Sequence, residues 1–159
     1  MTTDLPAYEY EGARAMVELH EQYLCNFLET WKAAKTANVE LPKTDDPSYL
    51  SLEALLHHVW ACARGYMVWM CEVLDLPEPE IDAAPGTERI ENEAEDYLGH
   101  VIERWKQPLA GVAEKKFYRP EYPSRWKVNY CVDAMMEHAV MHPVRHKLQL
   151  RKLLQNRAV

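Results

Sequence analysis

Five of the seven histidines fall in two short runs, Leu55-Leu56-His57-His58-Val59 and His138-Ala139-Val140-Met141-His142-Pro143-Val144-Arg145-His146, each set in otherwise apolar sequence. Imidazoles gathered in this way carry protons or bind metal ions. Residues four apart on a helix stack on one face, so His142 and His146 can present two ring nitrogens to one point. A third imidazole from another helix would complete an open site with water in the remaining position, the arrangement of catalytic zinc. Adjacent His57 and His58 point about 100° apart on a helix, so one of them faces inward. His58 is the choice, because it follows Leu55 by three residues and shares a face with Leu55 and Cys62, whereas His57 shares one with Ala61 and Arg64. His138, a further turn earlier, is a candidate to replace His146 or to serve as an outer partner. Cys62, four residues after His58, is a candidate thiolate ligand, although a small buried core residue is the simpler reading. The competing account of all these histidines is a satisfied core or surface role, which is the commoner fate of a lone His-x-x-x-His pair.

These runs need helices to hold them, and the rest of the sequence supplies helical periodicity in four stretches. Tyr8 to Ala37 carries Met16, Val17, His20, Tyr23, Leu24, Phe27, Leu28 and Trp31 at three- and four-residue spacing. A proline-containing connector from Asn38 to Leu50 follows, and Ser51 is the expected N-cap of a second helix with Leu52, Leu55, Leu56, Val59, Ala63, Tyr66, Met67, Met70 and Leu74 as its stripe. Pro77 to Gly86 is a break, after which Thr87 is expected to cap a third helix built on Ile90, Tyr97, Leu98, Val101, Ile102, Trp105 and Leu109. Glu114 to Lys127, with Pro120 and Pro123, reads as a long non-helical connection able to fold over one end. The last helix, Asn129 to Asn156, contains Val132, Met135, Met136, Ala139, Val140, Val144, Leu148, Leu150, Leu153 and Leu154. Pro143 should kink it beside the proposed ligands.

The fold class expected from this pattern is all-α, a four-helix bundle spanning residues 1–159 as one domain. With 48% hydrophobic residues the chain has ample material for a core. Its 25 acidic and 18 basic residues give a net charge of −7, which argues against a nucleic-acid partner. The start Met-Thr-Thr-Asp-Leu-Pro lacks the basic and apolar regions of a secretory signal, and no run of about eighteen apolar residues suggests a membrane span. The four cysteines, Cys25, Cys62, Cys71 and Cys131, form no CxxC pair or disulfide framework, so reduced thiols in a cytoplasm are expected.

The two histidine runs also carry a resemblance. The chain resembles the DinB-like superfamily, whose bundles pair a Leu-Leu-x-His-Val signal in the second helix with His-x-x-x-His near the end of the fourth; here these are Leu55 to Val59 and His142 to His146, followed by Gln149. The resemblance extends to helix order and spacing over most of the chain, and it implies that His58, His142 and His146 are the three metal ligands. It further implies kinship with S-transferases and isomerases that use bacillithiol, mycothiol or another low-molecular-weight thiol. Relatives commonly pair, so the resemblance allows a homodimer, and the sequence leaves the oligomeric state open. The sequence departs from the common His-Arg-Gly-Gln ending, reading His146-Lys147-Leu148-Gln149, and has Pro143 between the ligands.

The function expected from residues and resemblance together is that of a metal-dependent transferase, of the thiol S-transferase type, or a hydrolase acting on a small molecule. Three neutral imidazoles would hold a divalent ion that lowers the pKa of a bound thiol or water. Zinc and nickel suit the nitrogen donors best, and iron, manganese and copper are also accepted by imidazole. Tyr23, His20 and His138 are candidates to line the pocket, and no general base is singled out. The alternatives are a non-catalytic metal-binding or stress-related protein, in which His138 or Cys62 closes the coordination sphere, and a metal-free helical interaction module.

Overall fold

The computed structural model describes residues 4–157, with the backbone alone for Arg157; residues 1–3, part of the basis for expecting no secretory leader, lie outside the described residues. The described chain is mostly helical. Four long helices are α1 (Glu11–Thr36), α2 (Leu52–Val73), α3 (Ile90–Trp105) and α5 (Val132–Arg157), with a single turn α4 (Lys115–Tyr118) before the last. A 3-10 turn (Pro47–Tyr49) precedes α2, and a minimal antiparallel pair, β1 (Tyr122–Pro123) and β2 (Asn129–Tyr130), precedes α5. No described helix is long and apolar enough to cross a membrane, and all four cysteines are free thiols.

The boundaries follow local chemistry. Ser51 caps α2 as expected, its hydroxyl accepting from the Ala54 N–H at 3.0 Å. Both α1 and α2 stop in the same way, with a left-handed residue, Asn38 at φ 50° and Asp75 at φ 55°. The following N–H groups then turn back, Val39 to the Ala34 carbonyl and Leu76 to that of Cys71, which satisfies carbonyls that the helix end would orphan. Asn and Asp tolerate this region better than most side chains.

Several expected boundaries shift: α1 starts at Glu11 rather than Tyr8, and α5 at Val132 rather than Asn129, which falls in β2. Thr87 does not cap α3, because Arg89 and Ile90 both bond back to the Gly86 carbonyl and the helix begins only at Ile90. Within Glu114 to Lys127 the structure forms one helical turn, α4, fixed by Phe117, which is fully buried. Pro143 does not break α5, which runs continuously through it. Its missing N–H deprives the Ala139 carbonyl of one partner. Leu148, expected in the apolar stripe, is 55% exposed, since it shares its face with the charged and exposed Arg145, Arg151 and Lys152.

Helix α2 is the most enclosed element, buried around much of its circumference from Leu52 to Cys71. Helix α1 packs most extensively against α5, while α2 contacts α5, α3 and the 3-10 turn. Three tryptophans, Trp31, Trp60 and Trp105, are fully buried where these helices meet. Two of them place their indole N–H on α2 carbonyls, Trp31 on Leu52 and Trp105 on Ala63, so the large rings also fix how α1 and α3 sit against α2.

Candidate metal centre

Helix α2 carries His58, Cys62 and Tyr66 at four-residue intervals, and α5 carries His138, His142 and His146 at the same interval. Each set forms a stripe along its helix, and the two helices pack together. Fully buried Leu55, Leu56 and Val59 hold the first stripe in place. His58 Nε2 lies 3.1 Å from His142 Nε2. The His146 ring lies 4.7 Å from that of His142 and 5.3 Å from that of His58, centre to centre. His57 points elsewhere, its Nδ1 bonded at 2.8 Å to the Pro85 carbonyl, so the inward choice between the two neighbours falls on His58.

Burial sets the protonation of the cluster. Desolvation, aided by the neighbouring His146 and His58, pushes His142 down to about 2. Desolvation and His58 hold His146 at about 4, against a raising contribution from Gln149. His58 is lowered by burial too, with Asp46 opposing. All three are therefore neutral imidazoles at pH 7, each with a lone pair on one ring nitrogen.

Which nitrogen is free on His146 is decided by its neighbours. Its Nδ1 lies 3.0 Å from Gln149 Oε1, an atom that only accepts, so Nδ1 carries the proton and Nε2 the lone pair. The Tyr49 hydroxyl donates to the same oxygen at 2.7 Å and braces the amide from the 3-10 turn. An outer hydrogen bond of this kind is what orients a metal-binding histidine.

Cys62 completes the close group. Its Sγ lies 3.9 Å from both ring nitrogens of His58, and His58, Cys62 and His142 offer three ligand atoms within 4.8 Å of one another, compact enough to hold a metal ion. Burial pushes the thiol up to about 11, with Arg125 acting in the opposite direction. The donor set fits a divalent ion: tetrahedral bonds of about 2.0–2.1 Å to two imidazoles separate their nitrogens by roughly 3.3 Å, close to the His58 to His142 spacing.

Compared with family models, curated proteins and solved structures, the chain matches none. Function is therefore read from the chemistry of the site itself.

The other expected lining residues divide. His138 lies beside the cluster, stacked on Trp126 at 5.2 Å and flanked edge-on by Tyr66 and Tyr130. His20 is drawn into the core instead, stacked on Trp105 at 3.7 Å, with its Nε2 buried and unbonded. Tyr23 is half-buried on α1 and makes no ring contact with the cluster among the described residues. Sequence reasoning missed Tyr49 and Trp126. Both stand on connectors, where no periodicity announces direction, although Trp126 lies in the stretch expected to fold over one end. The role of Tyr66 was hidden because it also reads as one more residue of the α2 core stripe.

Proposed function

We propose that this chain is a metal-binding helical protein of the DinB-like type, with a four-helix bundle at its centre, in which His58, His142 and His146 hold one divalent ion and a small molecule reacts there. The observation that carries the reading is the 3.1 Å approach of His58 Nε2 to His142 Nε2 between neutral, buried rings. A bound divalent ion would act as a Lewis acid and lower the pKa of a thiol or water at an open position. The chain's own residues supply the rest. Gln149 and Tyr49 fix the His146 tautomer, burial keeps the imidazoles unprotonated, and Tyr66 and Trp126 shield the side of the cluster toward His138. Zinc or nickel is the expected ion, and a low-molecular-weight thiol the expected cosubstrate of a transferase; a hydrolase would use water at the same place. A homodimer belongs to the same proposal and is tested by sedimentation.

A second reading has its own support. Cys62 stands close enough to enter the coordination sphere, and a closed set of three imidazoles and one thiolate would be a structural ion with no turnover.

The test is elemental analysis of protein purified without a histidine tag, alongside His58→Ala, His142→Ala and His146→Ala. About one equivalent in the parent, lost in each variant, supports the three-histidine site. Loss in a Cys62→Ala variant as well as in all three histidine variants supports the closed reading. No metal in the parent, with none taken up on addition, overturns both and leaves the helical interaction module.

A further inference from the structure

The face of α5 that carries His138, His142 and His146 continues toward the C-terminus through Gln149, Leu153 and Asn156 at the same three- and four-residue spacing. There it borders a pocket of about 240 Å³. Leu55 on α2 and Leu150 on α5, both fully buried, line it together with Leu153, and the connector between α1 and α2 adds Leu41, Pro42 and Tyr49. Two contacts hold that connector in place. Val39 is buried and donates its N–H to the Ala34 carbonyl at 2.9 Å, and Leu41 packs against the core. Lys152 and Asn156 also border the pocket, but both are exposed, so their polar ends reach water and the interior is apolar.

One polar pair in the wall belongs to the metal centre as well. Tyr49 and Gln149 both line the pocket, and the Tyr49 hydroxyl donates at 2.7 Å to Gln149 Oε1, the oxygen that accepts from His146 Nδ1 at 3.0 Å. The wall is thus the hydrogen-bonded pair that fixes the His146 tautomer. Gln149 is exposed and Tyr49 half-buried, so water competes for that oxygen unless an apolar body covers it. Size narrows what the body can be. An apolar cavity of about 150 Å³ holds benzene, and drug-sized ligands occupy about 300 Å³ or more. A pocket of about 240 Å³ lies between them and has room for two fused rings.

We propose that this pocket binds a small neutral apolar molecule the size of two fused aromatic rings, and that its occupancy tightens metal binding at the histidine cluster. The coupling rests on the metal reading above, whereas the pocket stands without it. A ligand seated against Tyr49 and Gln149 excludes water from their hydrogen bond, which strengthens it and keeps the His146 Nε2 lone pair aimed at the ion. The effect is reciprocal, so a bound ion raises the affinity for the ligand by the same factor. A charge carried into the pocket would lose its water against leucine and proline side chains with no buried partner, which selects neutral molecules.

Indole, titrated into the zinc-free protein and followed by amide NMR shifts, tests the pocket, and the parent should bind it with Kd below about 1 mM. Leu153→Trp, which fills the space, and Leu41→Asp, which places a carboxylate in it from outside any helix, should each weaken binding about tenfold or more. The connector variant carries the test if the helical one does not fold. Competition against a chromophoric chelator then reads the coupling: saturating indole should raise the zinc affinity of the parent about fivefold and leave that of Gln149→Leu unchanged. No binding to the parent, or equal binding by the parent and Leu41→Asp, overturns the pocket. A zinc affinity that indole does not move, or a gain that survives Gln149→Leu, overturns the coupling. A parent that binds indole yet takes up no zinc overturns the metal reading and leaves the pocket standing, so the failures are distinguishable.

Discussion

His58 and His142 are 84 residues apart in sequence, yet their Nε2 atoms face each other at 3.1 Å where α2 packs on α5. Two neutral imidazoles at that distance share at most one proton between them, so at least one lone pair points into the gap. The pair is stable as a hydrogen bond, and better satisfied when a cation lies between the nitrogens.

Chelation should lower thermal stability. An ion present at about 100 times its dissociation constant stabilises the folded chain by about 2.7 kcal/mol. In a domain of this size that corresponds to a melting temperature roughly 5–10 °C higher. Scanning calorimetry with and without a chelator checks this, and the chelator should leave a His58→Ala/His142→Ala variant unmoved.

Gln149→Leu should weaken metal binding by about 10- to 100-fold while leaving all three histidines in place. The substitution removes the acceptor that holds the Nδ1 proton of His146, so the ring is free to present the wrong tautomer. Competition against a chromophoric chelator measures it. Unchanged affinity would detach Gln149 from the site.

Cys62→Ala should leave about one equivalent of metal bound. The thiol is pushed up to about 11 by burial, so without an ion it is neutral at pH 7, and three imidazoles suffice as ligands. Elemental analysis of the variant decides the matter, and loss of the ion would promote Cys62 to a ligand.

Acid should destabilise the chain partly through His20. Burial holds this ring at about 3, against about 6.5 when unfolded, so below pH 6.5 the unfolded chain takes up a proton that the folded chain refuses. Its contribution to stability is thus complete above pH 6.5 and falls as the pH drops toward 3, by up to about 1.4 kcal/mol per unit. His20→Phe, which keeps the stack on Trp105, should reduce the loss between pH 6.5 and 5.0 by roughly 1.5 kcal/mol. Urea unfolding at the two pH values gives the difference.

Ser51→Ala should cost about 1 kcal/mol in urea unfolding, because the Ala54 N–H loses its partner at the start of the helix that carries His58. An unchanged midpoint would show that water replaces the hydroxyl there at no cost.

The helices themselves are legible in the sequence. Three- and four-residue apolar spacing marks α1, α2, α3 and α5, and Ser51 marks where α2 begins, because these are properties of neighbours within a few residues. The same locality placed His142 and His146 on one face and separated His58 from His57. Where local rules compete, the ends moved: the turn on Gly86 delays α3, and the burial of Phe117 draws a helical turn out of a polar, proline-containing stretch.

The donor types, their spacing along each helix and the predominantly helical architecture are all properties of the linear chain. Packing of the whole chain sets that the stripes of α2 and α5 meet at His58 and His142, that Cys62 joins them, and that His20 goes to the core. It alone brought Tyr49 against His146 and Trp126 against His138, both from connectors. The physical reason is that helical periodicity fixes direction around an axis but not which two axes pack together. Irregular segments carry no period at all, and the packing of the whole chain sets where they lie.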